Sequence, residues 1–346
     1  MSWVPRSLLI LAAPLLASVP VGAAAADSAA TPIMTVSAID SIGIPVTDME
    51  RAQTFYTTVL GFSKVAEHEI AGDAYEHLYG VFGMRLRIVR LRLGAEAIEL
   101  MQFMTPRGRT LPVDSRSNDR WFQHVAIIVS DMDRAYARLR ESGVEFASNE
   151  PQRLPDWNPN AGGIRAFYFH DPDGNILEIL QFPPGKGAAR WQQRGGPLFL
   201  GIDHTAIVVA STEASLAYYR DQLGLQVAGR SENWGTEQEH LNGVFGAHLR
   251  ITTLRAAQGP GVELLEYRAP RDGRPIPADT RATDRWYWQV NLRALAPDSR
   301  LGAAINERTA IDSAGLVTLP DASLGFRSGV VQRDPDGHAA LLEFGP

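Results

Sequence analysis

The chain has 346 residues, 45% hydrophobic and 21% charged, the composition of a globular protein long enough for two ordinary domains. Its net charge of -6 and pI near 5.8 exclude the basic field that a nucleic-acid groove or an anionic membrane surface demands. Cysteine is absent, which removes disulfides, thiolate metal ligands and a cysteine nucleophile from consideration.

In chain order, residues 1–26 read as a secretory signal: Arg6 supplies the positive region, 8–19 the apolar core and 23–26 a small-residue cleavage site. Pro14 and Pro20 interrupt the apolar run, which is shorter than the ~20 residues a spanning helix needs. The expectation is a secreted or periplasmic protein with no stable membrane association after cleavage. A first module, 36–103, opens on a strand pattern at 38–46. Asp48 then caps a helix whose apolar residues Ala52, Phe55, Tyr56, Val59 and Leu60 keep helical spacing until Gly61 ends it. Strands follow at 86–93 and 97–103.

The second module, 121–183, starts with the apolar run QHVAIIV at 123–129 and continues through a helix at 131–142 ended by Gly143. It closes on strands flanking Asp171-Pro172-Asp173-Gly174, where proline fixes φ and glycine permits a tight reversal. A third module, 200–267, copies the first, and a fourth, 286–345, copies the second with its own Asp334-Pro335-Asp336-Gly337 turn. The copying is explicit: EHLYGVFGMRLRI at 76–88 returns as EHLNGVFGAHLRI at 239–251, and PVDSRSNDRWFQHV at 112–125 returns as PADTRATDRWYWQV at 277–290. The chain is therefore two halves, 34–183 and 199–346, of two βαβββ-like modules each. Linkers rich in Pro, Gly and Arg run over 104–120, 183–198 and 268–285.

Through IDHTAIVV at 202–209, QHVAIIVSDM at 123–132, FYTTVLGF at 55–62, YYRDQLGL at 218–225 and DPDGNILEIL at 171–180, the chain resembles the vicinal oxygen chelate superfamily. That superfamily includes glyoxalase I, methylmalonyl-CoA epimerase, extradiol dioxygenases, and fosfomycin and bleomycin resistance proteins. The resemblance implies an α+β, glyoxalase-like fold in which four βαβββ modules pair into two curved-sheet cups, each pair surrounding a divalent metal. It also implies metal ligands on the first and last strands of each module. Those positions are Ser41 and Glu99, His124 and Glu178, His204 and Glu263, and Gln289 and Leu341.

Neutral imidazole and carboxylate oxygen suit Zn, Ni, Co, Mn or Fe(II), whereas Ca calls for more oxygen ligands and no imidazole. Glu178 lies within Ile176-Leu177-Glu178-Ile179-Leu180, where a carboxylate buried alone costs several kcal/mol and so wants a cation. A lone strand histidine is more often a hydrogen-bonded core residue than a ligand, but His124 and His204 recur at matched positions, each with a glutamate. Gln289 retains an amide oxygen that can coordinate; Leu341 cannot coordinate at all.

Consecutive pairing of modules leaves both cups incomplete. Pairing the second with the third gathers His124, Glu178, His204 and Glu263 into one set and concentrates the losses in the other cup, so the crossed arrangement is favoured, with one divalent ion. The other polar repeats read structurally. His77 and His240 read as strand-entry residues, His68, His170, His248 and His338 as surface or turn residues, and Trp121 and Trp286 as packing anchors. Asp119-Arg120 and Asp284-Arg285 read as stabilisers of linker geometry.

The expected function is that of a metal-dependent enzyme acting on a small molecule, as a monomer or homodimer. Neighbouring substrate oxygens are chelated, and Glu178 or Glu263 shuttles a proton in isomerase, lyase or epimerase chemistry. One alternative is an extradiol-type Fe(II) dioxygenase using His124, His204 and one glutamate. Another is a metal-free protein that sequesters a drug or metabolite in a cup.

Overall fold

The computed structural model describes residues 34–193, 195–295 and 310–345, together with Met1 and Pro32. The expected signal at 1–26 and the segment where the fourth module's helix is expected, 296–309, lie outside the described residues. The first module supplies β1 (Val36–Pro45), β2 (Ser63–Ala71), β3 (Arg85–Leu93) and β4 (Glu96–Thr105). The second supplies β5 (Gln123–Val129), β6 (Gln152–Arg153), β7 (Arg165–His170) and β8 (Ile176–Gln181). The third gives β9 (Phe199–Val208), β10 (Gln226–Trp234), β11 (His248–Arg255) and β12 (Gly261–Ala269). The fourth gives β13 (Gln289–Ala294), β14 (Val317–Thr318), β15 (Ser328–Arg333) and β16 (Ala339–Phe344).

These strands form two eight-stranded sheets, ordered β14-β15-β16-β13-β1-β4-β3-β2 and β10-β11-β12-β9-β5-β8-β7-β6. The pairing is crossed: the first module joins the fourth, and the second joins the third. Each joint is antiparallel, β1 against β13 and β5 against β9. Every sheet thus draws one module from each half, and a single chain completes both.

Helices α1 (Met49–Thr58) and α3 (Met132–Glu141) follow the first strands of their modules, and the side chains of Asp48 and Asp131 accept from Arg51 N and Arg134 N at 3.0 Å. Their buried faces, with Phe55, Tyr56, Met132 and Leu139, share one apolar core with the outward faces of β1 and β5. The third and fourth modules share an equivalent core around Tyr219, Ile207, Val290 and Leu292. Halves are therefore joined internally through their cores, and to one another through their sheets. The Asp-Pro-Asp-Gly turns serve this packing: Tyr56 donates to Asp171 at 3.1 Å, and Tyr219 to Asp334 at 3.2 Å.

The repeated EHLxGVFG segment departs from the strand-entry expectation. It forms short helices at Asp73–Tyr79 (α2) and Thr236–Asn242 (α5), each ended by a glycine at φ +63°, Gly80 and Gly243. The side chains of His77 and His240 are exposed; their main-chain carbonyls accept from Ala314 N and Asn149 N. His338 is also not a surface residue: it is buried, its Nε2 2.9 Å from the Val208 carbonyl oxygen.

The linkers exchange contacts across the pseudo-twofold axis. Arg109 forks onto Asp284 and lies over Trp286, while Arg274 forks onto Asp119 and lies over Trp121. Gly108 and Gly273 permit this approach, because a Cβ on either would fall 1.8 Å from a backbone carbonyl oxygen, of Thr283 or Asn118 respectively. Among the described residues no helix is long and apolar enough to cross a membrane.

Candidate metal centre

The second sheet places Glu263 on β12, His204 on β9, His124 on β5 and Glu178 on β8, one residue on each of four adjacent central strands. Their register puts all four on one face. Ala126 stands opposite both His204 and Glu178, and Ala206 opposite both His124 and Glu263. Those alanines carry the smallest side chains that keep the strand periodicity, and they leave room between the four polar groups. Apolar residues including Phe122, Tyr168, Leu249 and Leu265 surround the set.

His124 Nε2 lies 3.2 Å from Glu178 Oε2, and His204 Nε2 lies 3.6 Å from the same oxygen. Glu263 Oε2 reaches His204 Nε2 at 3.4 Å, and Glu263 Oε1 accepts from Thr253 Oγ1 at 2.7 Å. Ligands about 2.1 Å from one ion and roughly 90–110° apart are separated by about 3.0–3.4 Å, close to these spacings. His124, Glu178 and His204 form the compact trio, their donor atoms all within 4.8 Å of one another; Glu263 stands outside it and is more exposed. His124 supplies an independent observation of fit, since it is buried and neither ring nitrogen has a protein hydrogen-bond partner. A divalent cation suits this donor set of two imidazoles and two carboxylates.

His204 is oriented by a residue to which the sequence reading assigned no role. Asp203 Oδ2 lies 3.1 Å from His204 Nδ1, and the same carboxylate receives Arg255 Nη2 at 2.9 Å and Trp191 Nε1 at 3.0 Å. Burial opposes the Asp203 charge, but His204 and Arg255 hold its carboxyl well below the usual range. This is the carboxylate–histidine arrangement that fixes a ligand's tautomer. The signal was present in the matched pairs Asp40-Ser41 and Asp203-His204, but nothing local showed the aspartate turned toward its neighbour's ring. Asp203→Asn is expected to weaken metal binding roughly 10–100-fold while leaving the fold intact, measured by competition with a chromogenic chelator. Unchanged affinity would remove Asp203 from the site.

In the metal-free chain, burial disfavours a charged His204, yet Glu263, Asp203 and Glu178 outweigh it and lift the pKa from 6.5 to about 9. The raised value gives the metal-free fold stability that is complete below 6.5 and lost as pH rises through about 9. An ion and a proton compete for Nε2. Near neutral pH, binding of an ion is therefore expected to release about one proton, with affinity rising with pH toward 9. Calorimetric titration in buffers of different ionisation enthalpy measures that release; a heat independent of buffer would contradict it.

The other sheet brings Ser41, Glu99, Gln289 and Leu341 to the corresponding positions, and they do not fit an ion. Arg90 stands where the His/Glu copy has Thr253, its Nη1 2.7 Å from both Asp40 Oδ2 and Glu99 Oε1. Asn291 Nδ2 donates to Ser41 Oγ at 2.9 Å and Glu99 Oε2 at 3.0 Å, and Gln289 Nε2 to Asn291 Oδ1 at 2.6 Å. Burial raises the Glu99 pKa despite Arg90. A guanidinium and an amide thus occupy the oxygens a cation would need, and Leu341 packs into an apolar cluster.

Two curved sheets of crossed βαβββ modules, one carrying a His/Glu/His/Glu set at its centre, define a glyoxalase-like fold with a candidate metal site. The model of the Glyoxalase/Bleomycin resistance protein/Dioxygenase superfamily matches residues 38–179 and 201–340, and the chain belongs to that superfamily. It is 32% identical over 153 residues to a 2-epi-5-epi-valiolone epimerase of Actinomyces sp, covering 43% of this chain and 81% of the epimerase. To the protein YwbC of Bacillus subtilis (strain 168) it is 29% identical over 144 residues, 41% of this chain and 96% of that protein. Glyoxalase I from Zea mays shares the fold with a TM-score of 0.59 at 16% identity, over 89% of this chain and 92% of that one.

Proposed function

We propose that this superfamily member is a divalent-metal-dependent enzyme of the isomerase or epimerase type. His124, Glu178, His204 and Glu263 would hold the ion, and a glutamate would move a proton on the carbon beside a substrate carbonyl. The observation that carries the reading is the four-residue donor set on adjacent strands, with His124 and His204 both turning Nε2 toward one Glu178 oxygen. An ion bound there supplies a Lewis acid that stabilises negative charge on chelated substrate oxygens. Glu263 is the better proton carrier of the two glutamates: it lies outside the compact trio, is the more exposed, and is held by Thr253. Glu178 sits between both imidazoles and is the better fixed ligand. The resemblance to an epimerase supports proton transfer at carbon.

A second reading rests on the trio itself. Two histidines and one carboxylate form the ligand set of Fe(II) oxygenases, with Glu263 left free. One experiment separates the two. The protein, loaded in turn with Zn, Ni, Co, Mn and Fe(II), is incubated with a panel of cyclic and acyclic α-hydroxy ketones and catechols in deuterated water. Deuterium incorporation beside the carbonyl, lost in Glu263→Gln, supports the first reading. Oxygen uptake with ring cleavage, confined to the Fe(II) form, replaces it with the second.

A further inference from the structure

The strand that carries His204 is interrupted immediately before it. Ala126 pairs with His204 and the next residue, Ile127, with Ile202, so β9 holds one residue more than β5 and Asp203 forms a bulge. In an unbroken strand neighbouring side chains point to opposite faces. The bulge lets Asp203 reach the ring of the very next residue, with Oδ2 3.1 Å from His204 Nδ1.

Two side chains from elsewhere in the chain brace that bulge. The Ile202 N–H donates at 3.1 Å to Oε2 of Glu96, which opens β4 in the other sheet, just after the turn from β3. Trp191, in the short helical turn Ala189–Gln192 of the linker between the halves, donates Nε1 to Asp203 Oδ1 at 3.0 Å. Arg190 joins the two braces: its guanidinium lies 3.9 Å from the Trp191 ring centroid and pairs with Glu96 Oε1. Glu96, Trp191 and Ile202 are all buried, and a buried carboxylate of this kind requires such a cation. Gly201 makes room for both braces, since a Cβ there would fall 2.5 Å from Glu96 Oε2 and 2.9 Å from Trp191 Cη2.

The duplication provides an internal control. β1 has the same bulge, at Asp40, where Ile39 pairs with Leu292 and Ser41 with Asn291. Its support is different: the Ile39 N–H donates to the main-chain carbonyl of Gln258 at 3.1 Å, and Asp40 is held by Arg90 and Arg293. The residue after Asp40 is Ser41, which has no ring to orient, and the match of Gly201 is Ala38. The bulge therefore belongs to the shared scaffold, whereas the brace of Glu96, Arg190 and Trp191 accompanies the copy with an imidazole to aim.

We propose that Glu96 and Trp191 are positioning residues of the candidate metal centre, bracing the bulge at Asp203 so that the His204 ring is held with Nε2 turned toward Glu178 and Glu263. One brace comes from the opposite sheet and the other from the linker, so the site in one sheet depends on how the rest of the chain is seated against it. The consequence for metal binding rests on the function proposed above; the aim of the ring does not.

The test first follows the His204 Nδ1 proton by NMR in the metal-free full chain, as the downfield resonance missing from His204→Ala. The cobalt(II) affinity and absorption spectrum of the same samples are then measured. Glu96→Asp draws the carboxylate back from Ile202 N by one methylene while keeping its charge beside Arg190, and Trp191→Phe keeps a ring but removes the N–H. Each is expected to lose or shift the resonance, to weaken cobalt(II) binding about tenfold and to alter its spectrum, with the fold retained. Gly108→Ala, which strains the chain away from the bulge, is expected to change neither readout. A wild type without the resonance, wild-type resonance and affinity in either folded variant, or equal losses in Gly108→Ala overturn the inference. If one variant melts early, the other decides. A wild type that binds no cobalt(II) removes the metal reading, while the proton resonance still decides the positioning.

Discussion

Alanine at His204 or at His124 is expected to abolish stable metal binding, taking the content from about one ion per chain to near zero after dialysis, with affinity down roughly 100-fold or more. Both residues are required because β9 and β5 are hydrogen-bonded neighbours and their Nε2 atoms converge on Glu178 from opposite sequence halves. Neither half carries a complete set, so neither can compensate. Ser41→Ala and Gln289→Ala in the other cup are expected to leave metal content unchanged, since Arg90 and Asn291 already satisfy Glu99. Loss of metal from only one histidine variant, or from a variant of the other cup, would sink the single-cup reading. Catalytic activity, once a substrate is found, is expected to fall with the metal.

Gly273→Ala and Gly108→Ala are each expected to destabilise the chain by about 1–3 kcal/mol, with the melting temperature falling by roughly 5 °C. At 1.8 Å from a carbonyl oxygen, the new methyl lies well inside van der Waals contact, and the obstacle is backbone rather than a side chain that can swing away. The linker must retreat. In doing so it withdraws Arg274 from Asp119, or Arg109 from Asp284, two carboxylates that are buried and hydrogen-bonded to those guanidinium forks. The two linkers dock on each other, Gly108 against Thr283 and Gly273 against Asn118, so the double variant is expected to depart from the sum of the single effects. Thermal unfolding followed by circular dichroism measures this; melting curves that superpose on the wild type would show that the linkers do not lock the halves.

Much of the site was legible because its signals are local. Asp48 precedes helical spacing and caps its helix as read, Asp131, read as the first residue of the second module's helix, is that helix's cap, and the aspartates of DPDG mark reversals that the structure contains. The four candidate ligands stood out because the chain displays its own variants: Ser41 and Leu341 stand where the other copy has His204 and Glu178. What stayed hidden is set by register across strands far apart in sequence. Arg90 reads as one more arginine in an alternating strand until β3 aligns it with Glu99. Thr253 gains its role the same way, opposite Glu263. His338 resembles a turn residue beside Gly337, and only the approach of β9 makes it a buried partner for Val208. The short helices α2 and α5 escaped because seven residues carry little periodicity, and because Phe82 and Phe245, the most hydrophobic residues after them, point outward at 93% and 91% exposure.

The crossed sheets also dictate when the protein can finish folding. A nascent chain that has delivered only its first two modules has made β1 and β5 but neither strand that pairs antiparallel with them, β13 and β9. Both would present unsatisfied backbone edges, and the ligands on β5 and β8 would face an open half-bowl. The third module closes the cup that holds the full donor set; the other edge stays bare until the fourth module leaves the ribosome. The cup with the His/Glu/His/Glu set is thus completed before the cup that holds a guanidinium at the corresponding place.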